Sequence, residues 1–421
     1  MANARTQSEL SPIQTWSAVG SMALCVALLI ASEFMPVSLL TPIAHDLHST
    51  EGMAGQAISI SGLFAVATSL LIATIAGRFD RRHVLIGMTG LMLSSLVIIA
   101  MASNFAVLMV ARALLGVVIG GFWSLATATV MRLVPVGSVP KALGVVYTGN
   151  AVATAFAAPI GSYLGGIIGW RGVFFALTPL AVANLIWQWI SLPSMPPQAT
   201  NPVGKLAGLL RRRHVAFAML GVMLTFAGAF ATFTYLRPFL ETYTRVSVPQ
   251  LSLLLLGLGL AGFVGTYGAT TMVRRHLYSL LMGLPLALGA VTLGLLAVRY
   301  HIVGVAVAMF AWGALNSAIP VCWSTWLTKG ISDEPESGGG LMVGAIQLSI
   351  MLGAGFGGLL LDHISVAATL VGGTILLLLA SLTIGRGERI QGPVSKVASE
   401  ALDKSWQARP ECAPCLGASR D

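Results

Sequence analysis

Two ionisable residues interrupt long apolar runs. Glu33 lies in LLIASEFMPVSLL, residues 28–40, and Arg112 lies in VLMVARALLGVVIGG, residues 107–121. A carboxylate in such a run takes up and releases a proton. Burial favours its neutral form, and a nearby guanidinium favours its charged form. A buried acid with a buried arginine is therefore a candidate proton-handling pair. The chain has no HExxH, no GxSxG and no phosphate-cradling glycine loop, and its seven histidines lie in loops or near the ends of apolar runs. Hydrolytic and ATP-driven chemistry has no machinery here, and no cofactor or metal is expected.

A second group of residues could bind a flat polar molecule. Trp312, Asn316 and Trp323 fall at i, i+4 and i+11 on one helical face, and Phe226, Phe230 and Phe233 fall at i, i+4 and i+7 on another. Gln347 is an amide in an apolar run, and Tyr147, Asn150 and Thr154 form a polar stripe at i, i+3 and i+7. Aromatic faces with a few amides or hydroxyls suit a ring-bearing solute.

Composition decides which elements position these residues. The 421-residue chain is 56% hydrophobic and only 9% charged, with a mean hydropathy of +0.84. Soluble domains carry about 25% charged residues, so this is an integral membrane protein. Runs of about 20 apolar residues cross a bilayer as helices. They predict twelve spans at 16–40, 52–76, 84–102, 105–130, 141–168 and 172–191, then 215–238, 251–273, 279–298, 302–328, 338–361 and 365–384. The runs are too long, and alternate too little, for barrel strands.

The net charge of +9 is spread over short basic clusters between the runs. That pattern is topogenic rather than a nucleic-acid stripe. With the N-terminus in the cytoplasm, twelve Lys and Arg fall in inner connections, including Arg78, Arg81, Arg82 and Arg211–Arg213. Four fall in outer connections: Arg171, Arg237, Arg245 and Arg299. Both termini are expected inside, in an inner (plasma) membrane. Glu33 is the one acid within any expected span, and it and Arg112 each lie ~10 Å from the outer end of their spans at 1.5 Å per residue.

The longest internal polar stretch, 192–214, divides the spans six and six. It reads as a linker whose end, KLAGLLRRRH, is either a basic amphipathic helix or a charge cluster. The expected division is a tail at 1–15, a bundle at 16–191, the linker, a bundle at 215–384 and a polar, disordered tail at 385–421. Cys412 and Cys415 lie in that tail as a lone CxxC. The halves resemble one another at an offset near 195 residues: Arg81 matches Arg275 and Gly161 matches Gly357. At that offset Glu33 and Arg112 meet Gly228 and Val307, so the acid and the arginine have no second copy. Duplicated bundles suit alternating access around a midplane site.

Three motifs carry a family resemblance: ATIAGRFDRRHVL at 73–85, RALLGVVIGG at 112–121, and AAPIGSYLGGIIGWRGVF at 157–174. With them the chain resembles the major facilitator superfamily in its drug/proton antiporter branch, over about residues 16–385. Segments such as EFMPVSLLTPIAHDL and PVCWSTWLTKG are similar, more narrowly, to its purine-nucleoside exporters. The resemblance implies an all-α, twelve-helix fold of two pseudo-symmetric bundles, proton-driven export of inosine, guanosine and purine analogues, and no enzymatic activity. Sugar and multidrug exporters share the scaffold. The expected partners are a small-molecule substrate, protons and lipid, and the expected state is a monomer.

The resemblance also implies roles. Arg78, Asp80, Arg81 and Arg82 form a gate at the cytoplasmic end, with the arginines pairing with Asp80 and with helix C-terminal carbonyls. Ala158, Pro159, Gly161 and Gly165 form a thin helix face on which the halves slide. The chain departs from the family pattern at Gly77, where an acid is expected, and at Ala158, where a glycine is expected.

Overall fold

The computed structural model describes residues 11–76, 78–196, 208–331, 333–385 and 387–391. The chain folds as helices: α1 (Pro12–Ser38), α2 (Leu40–Asp46), α3 (Glu51–Ala76), α4 (Arg81–Ala100), α5 (Phe105–Leu133) and α6 (Val139–Ser191). Then come α7 (Arg213–Phe233), α8 (Leu236–Phe239), α9 (Val248–Ala297), α10 (Ile302–Gly330), α11 (Pro335–His363) and α12 (Val366–Ile384).

Local sequence explains where they start. Ser11 and Gln14 form a capping box before Pro12, and Ser247 and Gln250 form another before Pro249. Asp80, Asn104 and Ser365 cap α4, α5 and α12 through their side chains. Each supplies an oxygen to a backbone N–H that the first turn leaves unpaired.

Among the described residues, eleven helices are long and apolar enough to cross a membrane. The 53-residue α6 is the exception in length. At 1.5 Å per residue it would run ~80 Å, against ~30 Å of hydrocarbon. It breaks at Gly169, where φ is +73° and ψ is 163°, a conformation glycine adopts without a Cβ penalty. The two traverses of α6 bring the spans to twelve, and the break falls between the expected fifth and sixth spans. α9 likewise breaks at His276, at the start of the second of its two spans, 248–273 and 275–297.

The helices pack in two hydrophobic clusters. One runs from Ala18 to Met195 and includes Tyr235; the other runs from Leu209 to Ile390 and includes Val37, Ile58 and Ala158. Close glycine contacts repeat between them. A Cβ on Gly149 would strike the Ala23 carbonyl, and one on Gly353 would strike the Ala227 carbonyl. Both partners are offset by 204 residues. Gly116 meets Ser61 as Gly313 meets Leu258, with both partners offset by 197. The sequence repeat is thus a repeat of helix-to-helix contacts, each needing a residue without a side chain.

The hydrogen bonds that cross between the halves gather at one end. There Thr50 Oγ1 donates to Asp362 Oδ2 at 2.7 Å, and Thr41 Oγ1 lies 2.6 Å from Glu241 Oε2 and 2.8 Å from Glu51 Oε1. Farther in, Gln56 Nε2 donates to the Gly355 carbonyl at 3.4 Å and Ser59 Oγ to the Met351 carbonyl at 3.0 Å. At the opposite end the ties run within a half. Arg132 bonds the Pro196 carbonyl, and Arg212 pairs with Asp333 at 2.7 Å and Glu334 at 3.4 Å.

Candidate functional site

Glu33 sits on α1 and is 5% exposed. Arg112, on α5, is fully buried. The two interact electrostatically, as their matched depth predicts. Among the described residues, however, no direct ion pair joins them. Arg112 Nε donates to the Ala57 carbonyl at 3.0 Å and Nη1 to the Ser32 carbonyl at 2.9 Å. The guanidinium is held by the backbones of α3 and α1, and Nη2 is left without a partner among the described residues. A buried donor in that condition needs an acceptor.

Gln347 reaches Glu33 from the other half. It is 6% exposed on α11, and its amide interacts with the Glu33 carboxylate. Its Nε2 nevertheless makes no well-formed hydrogen bond among the described residues.

Aromatic rings cluster around Phe34, the residue that follows Glu33. Phe34 packs on Phe230 with centroids 6.0 Å apart and on Phe233 at 5.9 Å. Phe233 stacks on Trp312 at 5.9 Å and 9° between planes. Trp312 Nε1 donates to Thr292 Oγ1 at 3.1 Å, which leaves its ring for Phe233. Phe34 comes from the first half and the other three rings from the second. Phe226 is buried in the same apolar cluster as Phe230.

Several expected residues lie elsewhere. Trp323 is 1% exposed and packs edge-on to Trp326, whose Nε1 donates to the Ile390 carbonyl. It belongs to the core of the second half, so the Trp–Asn–Trp face does not act as one surface. Asn316 is half-buried between them. Tyr147 is 49% exposed and stacks on Trp123 at 5.9 Å, with Asn150 half-buried a turn away. That pair is not in contact with the Glu33 centre.

The arginine loop matches one arm of the expectation, the bond from an arginine to a helix C-terminal carbonyl, through Arg82. Asp80 accepts from the Arg82 N–H at 2.8 Å, the Met195 N–H at 2.9 Å and the Ser194 hydroxyl. Arg82 Nη2 donates to the Trp189 carbonyl at 2.6 Å, and the Arg81 N–H donates to the Met195 carbonyl at 3.1 Å. Arg78 is exposed, and Gly77 lies outside the described residues. Asp80 thus binds the chain that follows α6 and caps α4 through its hydrogen bonds, and Arg132 lies near enough to act on it electrostatically. Its side chain is committed to backbone donors that the start of a helix must satisfy.

The thin face of α6 is shared between two partners. Gly161 faces Met35 and Ser38, and Gly165 faces Leu39, all in the first half. Ala158 packs in the cluster of the second half, and Gly166 faces Val248 there. Pro159 lies inside the helix between them. Only the Ala158 and Gly166 side meets the other half, which narrows the expected sliding surface.

Sequence reasoning missed three residues. Phe34 follows Glu33 directly, which was the available signal for it. Tyr235 is fully buried between Gly55 of α3 and Gly357 and Gly358 of α11, and its hydroxyl donates to the Ala354 carbonyl at 2.7 Å. Arg237, counted above as an outer-loop cation, is 7% exposed; it donates to Glu241 at 2.8 Å and to the Ser38 carbonyl across the halves. The linker helix expected at KLAGLLRRRH is only partly described, with residues 208–210 helical and 205–207 outside the described residues. The Cys412/Cys415 pair also lies outside them.

Comparison with known proteins fits this architecture. A curated relative, "Transcription regulatory protein OpdE" of Pseudomonas aeruginosa, is 47% identical over 375 residues, covering 88% of this chain and 93% of its own. "Purine ribonucleoside efflux pump NepI" of Salmonella typhimurium is 40% identical over 375 residues, covering 89% and 94%. Among solved structures, the nucleoside transporter NupG superposes with a TM-score of 0.72 at 14% identity, covering 87% of this chain and 99% of its own. A D-xylose–proton symporter superposes at 0.70 and 16% identity, covering 90% and 100%. The family model of the Major Facilitator Superfamily matches residues 22–354. The chain belongs to the major facilitator superfamily: it is a multi-pass membrane transporter, not an enzyme.

Proposed function

We propose that the protein exports purine ribonucleosides from the cytoplasm in exchange for protons, by rocking its halves, 16–191 and 215–384, about the Glu33 centre. The observation that carries this reading is Glu33 itself. A buried acid that meets Arg112 of its own half and Gln347 of the other is placed to sense both a proton and the relation between the halves. Intramembrane acids of this kind mark proton or substrate pathways. The nucleoside assignment leans on the Salmonella relative's name and on the wall of Phe34, Phe230, Phe233 and Trp312, which offers ring faces for a base.

The excess of Lys and Arg in the inner connections supports both termini in the cytoplasm. Under that topology the sealed end, with Thr41, Glu51 and Asp362, faces outward. Glu33 would take a proton from outside and release it inside, where substrate then loads. Exchange of one neutral nucleoside for one proton moves a positive charge inward, so membrane potential and pH gradient both drive export.

The test is transport by purified protein in proteoliposomes with an imposed pH gradient, using labelled inosine and a panel of arabinose and a cationic drug. Glu33→Gln should abolish concentrative transport and retain downhill exchange; full gradient-driven transport by that variant refutes the role. The name of the Pseudomonas relative supports a second reading, a membrane sensor that binds a solute and signals without turnover. Counterflow separates the two, since a sensor gives none.

A further inference from the structure

Two buried donors lacking well-formed hydrogen bonds among the described residues flank Glu33 from opposite halves: Arg112 Nη2 on α5 and Gln347 Nε2 on α11. They are not equivalent. Arg112 is fixed by the Ala57 and Ser32 carbonyls. No such pin holds the Gln347 amide. Its backbone, however, is set against the first half: a Cβ on Gly62 would approach the Gln347 carbonyl to 3.0 Å, and one turn on, Ser59 bonds the Met351 carbonyl. The amide is therefore carried to Glu33 by the α3–α11 seam and remains free to turn there.

An amide presents N–H donors on one side and a carbonyl acceptor on the other. An ionised carboxylate only accepts, so it draws the N–H₂ side of Gln347. A protonated carboxyl gains an O–H donor, which draws Oε1 instead. The proton thus sets which side of the amide faces Glu33 and which is turned away from it. The charged group that acts on Glu33 is Arg112 from α5, and Gln347 from α11 is uncharged.

We propose that Gln347 is the coupling residue of this transporter: its amide turns over when Glu33 changes protonation, so that donor and acceptor are exchanged on the side turned away from Glu33, where the solute is received. The proposal rests on the reading of Glu33 as the proton site. With Glu33 ionised, Oε1 is left to receive an N–H or O–H of the solute. With Glu33 protonated, that acceptor is withdrawn and the solute is released. This is the order an exporter needs when protons enter from the release side.

The experiment uses the full-length protein in lipid. Infrared difference spectroscopy follows the carboxyl C=O band that Glu33→Gln removes. In Gln347→Leu and Gln347→Met the pH midpoint of that band moves to higher pH by about half a unit or more, because the carboxylate has lost a donor. Labelled inosine binding, tighter at alkaline than at acid pH in the parent, becomes nearly independent of pH in both variants. The methionine variant keeps the side-chain length if the leucine variant fails to fold. An unchanged midpoint in a folded variant overturns the proposal. A shifted midpoint in the variants, together with a parent that does not bind inosine, leaves the Gln347 role standing and removes the nucleoside reading alone.

Discussion

Tyr235 occupies the space that a side chain at Gly55 would need. Its hydroxyl and ring lie within clash distance of a Cβ built on that glycine, and the same ring closes on Gly357 and Gly358. Tyr235 follows α7 in the second half, yet it packs within the hydrophobic cluster of the first. The sealed end is closed by a ring inserted into a slot lined by glycine.

Gly55→Ala should therefore hold that end open. We expect export to fall about tenfold or more, since a Cβ contact under 3.0 Å against a packed ring cannot be relieved by a small shift. Spin labels on α3 and α11 near that end should report a longer separation than in the parent. Adding Tyr235→Ala should restore closure, and failure of the double variant to close would disprove the slot.

Arg112→Lys keeps the charge and loses the fork. One ammonium cannot reproduce bonds to both the Ala57 and Ser32 carbonyls. The buried carbonyl left unpaired costs about 1–3 kcal/mol. Thermal unfolding in detergent should show the loss, whatever substrate is present.

Arg237 and Arg212 make a contrasting pair. Arg237 is buried at the closed end, with Glu241 and the Ser38 carbonyl as partners. Arg212 meets Asp333 and Glu334 where all three side chains are partly exposed. Exposed ion pairs contribute about 0–1 kcal/mol. Asp333→Asn should leave melting temperature and transport nearly unchanged, whereas Arg237→Ala should lose closure and transport together.

Asp80 gives a pH prediction. Partial burial pushes its carboxyl up, but the hydroxyl of Ser194, the N–H groups of Met195 and Arg82, and the nearby His83 outweigh this and hold it below the usual aspartate range. Its stabilising contribution is complete above the unfolded value of about 3.9 and is lost as pH falls through the lower folded value. Asp80→Ala should cost about 1 kcal/mol at neutral pH through the lost cap. The difference in melting temperature from the parent should shrink below pH 4.

Much of this protein is legible in its sequence because lipid forces the pattern. Apolar runs fix the spans, basic clusters mark the loops, and an acid among apolar residues marks itself. The break at Gly169 falls where a Gly-Trp-Arg follows an apolar run. What escaped depends on how one helix is rotated against another. Nothing local to Asp80 indicates that residues 194–195 will meet it. Arg237 reads as a loop cation because hydropathy does not report that Glu241 and Ser38 surround it. Trp312 and Trp323 share a helical face, but the neighbours of that face change along its length, from Phe233 to Trp326.

Arg112 has a mechanical consequence. Its fork ties α5 to α1 and α3 at one level, so three helices of the first half are braced by one side chain. By the repeat of glycine contacts, 197 residues on from Arg112 stands Met309, buried and uncharged, and 204 residues on from Glu33 stands Arg237, which bonds Glu241 and the Ser38 carbonyl of the first half. The fork of Arg112 is thus not repeated at its own counterpart. Prolines lie inside helices of both halves, Pro36, Pro159 and Pro179 in the first and Pro285 and Pro320 in the second, so the difference between the halves rests on the Arg112 brace. The first half would behave as a stiff frame and the second as the compliant arm that bends against it.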